Sequence, residues 1–125
     1  IAEGIGAQTV YSRNTDSRMK QVYNFIASNF QRKIYLEDAA AACDMVPSSF
    51  CRFFKKKAGK TFMQFLYDVR IAHACKLLIE NRHSNVKQIC YESGFCNITS
   101  FFKTFKEITG LSPQAYRAAY EEQGN

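Results

Sequence analysis

Two clusters of hydrogen-bonding and cationic side chains recur in this chain, each along a stretch that reads as a helix. The first holds Ser48, Ser49, Cys51, Arg52, Lys55 and Lys56; the second holds Asn97, Ile98, Thr99, Ser100, Lys103 and Lys106. Arginine and lysine suit guanine edges and phosphates, while serine, threonine and asparagine adapt to bases or backbone. Ile98 offers an apolar contact to a thymine methyl or simply packs inward. Phenylalanines mark the opposite side of each stretch: Phe50 and Phe54 in the first, with Phe53 near the core, and Phe101 and Phe105 in the second. A helix with one apolar side and one such polar side can enter the major groove of DNA, where base edges carry distinct donor and acceptor patterns.

Other chemistries find little support. There are no paired carboxylates, no nucleophile triad and no phosphate loop, so no enzyme is expected. The five cysteines (Cys43, Cys51, Cys75, Cys90, Cys96) form no closely spaced pair, and His73 and His83 are isolated. No metal and no cofactor is therefore expected. The thiols read as reduced, small core residues, and a redox switch at Cys51 is the lesser reading. The net charge of +6 and a pI near 9.1 fit an anionic partner. Arg52, Lys55, Lys56, Lys57 and Lys60 crowd one region. No apolar run is long enough for a membrane span, and no secretory signal pattern is present, so a cytoplasmic protein is expected.

The elements that carry the two clusters are copies of one another. Leu36–Gly59 and Val86–Gly110 each read as a short helix, a tight turn and a second helix stopped by glycine. Aligned on that glycine, Phe101, Phe105 and Gly110 fall on Phe50, Phe54 and Gly59. Repeated helix-turn-helix units in a small basic chain are the sequence form of a DNA reader. Pro47 suits the first turn of its helix, Gly59 and Gly110 can take the left-handed cap, and Asn97 can cap the second reading helix. Asn85-x-x-Gln88 and Thr61-x-x-Gln64 read as capping boxes, and Ser112-Pro113 opens a last helix through Tyr116 and Tyr120.

Before the first repeat, Met19, Val22, Tyr23, Ile26 and Phe30 form an amphipathic face, capped by Asp16 or Ser17 and closed by Gln31, Arg32 and Lys33. Between the repeats, Phe62 to Glu80 forms one helix of roughly 28 Å at 1.5 Å per residue, close to the ~34 Å of one DNA turn. A spacer of that length could serve two reading helices in successive major grooves. The expected architecture is all-α with about seven helices. Residues 1–15 form a linker or disordered segment, 16–60 the first helix-turn-helix subdomain, 61–80 a connecting helix and 81–122 the second subdomain. The chain starts at Ile1, so it reads as part of a longer protein.

These residues resemble one family, the DNA-binding domain of AraC/XylS-type transcription regulators, over about Met19 to Tyr120. The segment GFCNITSFFKTFKEITGLSPQAYR, Gly94–Arg117, is similar to the family signature at Gly94, Phe95, Phe101, Lys103, Phe105, Lys106, Gly110, Ser112, Pro113, Tyr116 and Arg117. Arg70, Ala74, Leu77 and Leu78 fit the pattern of the connecting helix. The resemblance implies two helix-turn-helix subdomains joined by one long helix and binding to bacterial promoter DNA. It implies that Ser48, Cys51 and Arg52, and then Thr99, Ser100 and Lys103, lie near bases. It further implies a separate N-terminal sensor or dimerisation domain in the full-length protein, and RNA polymerase is a candidate partner whichever reading of the chain holds. Three positions depart from the pattern. Val46 stands where a capping serine is usual, Asp44 where glycine is common, and Phe102 where the residue is often small or polar. Arg70 is expected to form an ion pair inside the fold. A protein-interaction module anchored by Phe102, Tyr11 and Tyr120 is the competing reading.

Overall fold

The fold follows from where each helix can start and stop. The computed structural model describes residues 17–123, which form seven helices and no strand. The expected linker of residues 1–15, the Asp16 cap and the anchor Tyr11 lie outside these residues. The chain divides into two compact units: the first takes residues up to Asn29 and Ile34–Thr61, the second Phe30–Lys33 and everything from Phe62 onward.

In the first unit, α1 covers 17–29 and buries Met19, Val22 and Ile26. Tyr23, expected on that face, is exposed, because the apolar stripe is narrower than the periodicity alone implies. Phe30 to Lys33 lie beyond the helix end. Helix α2, Leu36–Ala42, buries Ala39 and Ala40, small side chains that let a neighbouring helix approach closely. The turn after it carries the positive φ of 61° at Asp44. Aspartate tolerates this region better than most side chains, which accounts for its standing in a glycine-type position. Helix α3, Pro47–Ala58, starts with proline and ends at Gly59, whose φ of 80° is the left-handed cap. Its N-cap, Val46, makes no side-chain cap, as its chemistry dictates.

The second unit is built on α4, Phe62–Glu80, which packs on α5 (Val86–Glu92), α6 (Ile98–Thr109) and α7 (Pro113–Gln123). Its core holds Ile71, Ala74, Leu78, Ile89, Cys90, Phe95, Phe101 and Phe105. The rings of Phe101 and Phe105 meet edge to face at 5.7 Å, and Phe95 stacks on Tyr67 at 5.9 Å. Arg117 on α7 ties this core together. It donates to the carbonyls of Leu78 (2.9 Å), Asn81 (3.1 Å) and Ser84 (3.0 Å), satisfying groups at and beyond the α4 C-terminus that no helical N–H can reach.

Arg70 departs from expectation. It is buried, but its partners are main-chain carbonyls of Phe30 and Arg32, not a carboxylate. Burial lowers its pKa. The cysteines also divide: Cys43 and Cys90 are core residues, Cys51 is exposed as its place in the first polar cluster implies, and Cys96 is exposed and so is not the core thiol expected. No helix among the described residues is long and apolar enough to cross a membrane.

Candidate nucleic-acid interface

Helices α3 and α6 are each held by an apolar side. On α3, Phe50 and Phe54 are fully buried one turn apart, with ring centroids 5.9 Å from each other. Every residue at the complementary steps then faces outward. Ser48, Cys51, Arg52, Lys55 and Lys56 are exposed, and Ser49 is half-buried. These positions recur at three- and four-residue intervals, so they form one continuous stripe. Lys57 and Lys60 are exposed at the same end of the helix.

On α6, Phe101 and Phe105 play the anchoring part. Thr99, Ser100, Lys103 and Lys106 are exposed. Asn97 is also exposed, but its Oδ1 accepts the N–H of Ser100 at 3.0 Å, so it serves as the helix cap while its amide nitrogen stays available to a ligand. Ile98 is half-buried and packs against the second core, as does Phe102. The phenyl ring at the Cys51-equivalent position is thus half-buried against the core of the second unit.

The two stripes differ in charge. Arg52, Lys55 and Lys56 correspond to Lys103, Lys106 and Glu107 when Phe50 is laid on Phe101. The first face is uniformly cationic; the second carries a carboxylate. Both can donate hydrogen bonds to bases and phosphates, and neither is built for proton transfer. Among the described residues no group of three His, Cys, Asp or Glu is placed to hold a metal. Burial raises the thiol pKa of Cys90 to about 11 and also raises that of Cys43, which keeps both protonated and unreactive.

The sequence profile of the family described as helix-turn-helix domain matches residues 39–119, spanning both units. The chain belongs to the AraC-type helix-turn-helix family of transcription regulators. The AraC-type domain described here is 35% identical over 100 residues to the uncharacterized HTH-type transcriptional regulator YdeC of Bacillus subtilis (strain 168), covering 80% of this chain and 34% of that protein. It is 30% identical over 110 residues to the regulatory protein PocR of Salmonella typhimurium, covering 88% of this chain and 36% of that one. The DNA-binding domain of AdpA, a global transcriptional factor crystallised in complex with a target DNA, matches with a TM-score of 0.78 at 27% identity, over 83% of this chain and 93% of that one. The chain spans about a third of the length of the curated relatives it matches.

Proposed function

We propose that this domain binds bacterial promoter DNA by sequence, with α3 and α6 each entering a major groove and the two grooves lying one turn apart. The observation that carries this is the pair of matched exposed stripes, one on each glycine-stopped helix. Arg52 and Lys103 read bases, Ser48, Cys51, Thr99 and Ser100 lie beside them, and Lys55, Lys56 and Lys106 hold phosphates. The 19 residues of α4 support the spacing, since they span roughly 28 Å against ~34 Å for a turn of duplex. The target DNA in the AdpA complex supports DNA as the partner. The rest of the full-length regulator supplies a sensor or dimerisation domain, and bound protein recruits or blocks RNA polymerase.

Selection of duplexes from a random pool tests this directly. The expected product is a site with two conserved elements whose centres lie about one helical turn apart. Enrichment of no sequence at moderate salt would refute specific binding. Enrichment of a single short element would refute the two-groove reading alone.

A further inference from the structure

Phe30–Lys33 group with the second unit, although the helices on either side of them belong to the first. Polar contacts explain why. Arg70, only 7% exposed, donates from Nε to the Phe30 carbonyl at 2.9 Å and from Nη2 to the Arg32 carbonyl at 3.0 Å. Gln31 Nε2 donates to the Glu92 carbonyl at 2.9 Å. That carbonyl closes α5 and has no N–H partner within its own helix. The Phe30 ring meets His73 edge-on at 5.0 Å. Gly94 lies against the same segment with φ of 98°, and a Cβ built there would collide with the Phe30 carbonyl oxygen and come within 2.7 Å of Arg70 Nε.

The first unit supplies an internal control. Asp44 follows α2 as Gly94 follows α5, and both have positive φ. In each turn the next N–H bonds back to the helix: Met45 to the Ala40 carbonyl at 2.9 Å, Phe95 to the Cys90 carbonyl at 3.1 Å. An exposed aspartate occupies that turn in the first unit. A side chain is therefore tolerated in this turn at the 61° of Asp44, whereas the 98° of Gly94 already disfavours one. At Gly94 the added demand is room for the Phe30 carbonyl.

We infer that Phe30–Lys33 is a strap that fixes the turn launching α6, and that Gln31 is a positioning residue for the bases α6 reads. The inference rests on the DNA-binding reading above. The strap holds Glu92 and Gly94; those set Phe95; and the residues that follow set the Asn97 cap and hence where Thr99 and Ser100 point. Gln31 touches no base and acts only through the turn.

Gln31→Met tests it, since methionine keeps the length and removes the donor at an exposed position. Amide hydrogen exchange is read on the free protein at Phe95 and Phe101, whose N–H groups bond to the carbonyls of Cys90 and Asn97. Exchange there should quicken about three- to tenfold, the worth of one neutral hydrogen bond. Phe50, bonded to the Val46 carbonyl in the first unit, should be unchanged. Affinity is then measured for the selected duplex and for versions with either element scrambled. The variant should lose discrimination at the element under α6 and keep it at the element under α3. Unchanged exchange at Phe95 and Phe101, or equal loss at both elements, would overturn the inference. If the wild-type protein itself prefers no sequence, the DNA reading fails, and the exchange result then decides the strap by itself.

Discussion

Arg52 and Lys56 sit one turn apart on the same exposed stripe of α3, yet the proposed reading gives them different work. A guanidinium can fork onto a guanine edge, whereas an ammonium is a point charge best spent on phosphate. Arg52→Ala should cost about 1–3 kcal/mol on the selected site and relax preference at one base, while Lys56→Ala should weaken all sequences alike. Competition between selected and scrambled duplexes separates the two. Equal weakening of both DNAs by Arg52→Ala would make Arg52 a phosphate contact. His73 allows a second test at this scale. Burial first, then the nearby charge of Lys76, lowers its pKa from the usual 6.5, with Glu92 and Glu80 opposing. A base whose folded pKa is depressed binds fewer protons folded than unfolded. Its contribution is therefore whole above pH 6.5 and is lost as pH falls from 6.5 through the folded value. The ring is half-buried, so the effect is modest. Urea midpoints taken at pH 7.5 and 5.5 should show a drop that His73→Gln reduces; an identical drop in the variant would remove His73 as its source.

Among the elements, the two reading helices offer a natural comparison because they share length and ending but not their starts. Asn97 caps α6, and Val46 leaves α3 without a side-chain cap. Val46 is also 62% exposed, so little packing is lost on replacing it. Val46→Ser should stabilise the domain by about 1 kcal/mol, and Asn97→Ala should destabilise it by a similar amount. Urea denaturation gives both signs in one series; a neutral Val46→Ser would mean the backbone before Pro47 cannot turn the hydroxyl onto the Ser48 or Ser49 N–H. Helix ends of this kind were legible from sequence because their causes are local. Pro47, Gly59, Gly110, Asn97 and Ser112 each act within a few residues. Ser112 Oγ, for instance, accepts the Ala115 N–H at 3.1 Å. Asn85 did as expected in accepting the Gln88 N–H at 2.7 Å, but the Gln88 side chain turns to Glu92 Oε1 instead of completing the box. Arg70 was misread in its partners because its carbonyls come from 38 and 40 residues away, and no period in a sequence reports that. The face of α3 was readable as the complement of Phe50 and Phe54. The dual use of Asn97, and the inward turn of Ile98 and Phe102, depend on packing that only the folded core reveals.

For the molecule as a whole, the question is whether one reading face or both meet the DNA, and charge can answer it. With Arg52 and Lys103 on bases, the first face offers Lys55 and Lys56 to phosphates and the second offers Lys106. Each phosphate neutralised releases counterions, so log affinity falls with log salt by about 0.9 per contact, giving a slope of about −2.7 if all three lysines engage and about −1.8 if only the first face does. Fluorescence anisotropy titrations of the selected duplex between 50 and 200 mM salt, the range over which such slopes are read, resolve that difference. Lys106→Ala should then reduce the steepness by about 0.9, as Lys55→Ala should, because each removes one contact from a different face. Glu107→Gln adds an independent check, since removing a carboxylate from the second face should strengthen binding only if that face lies against phosphates. A slope near −1.8 that ignores both Lys106→Ala and Glu107→Gln would leave α6 off the duplex and reduce the domain to a single-groove reader, the value being about two contacts' worth.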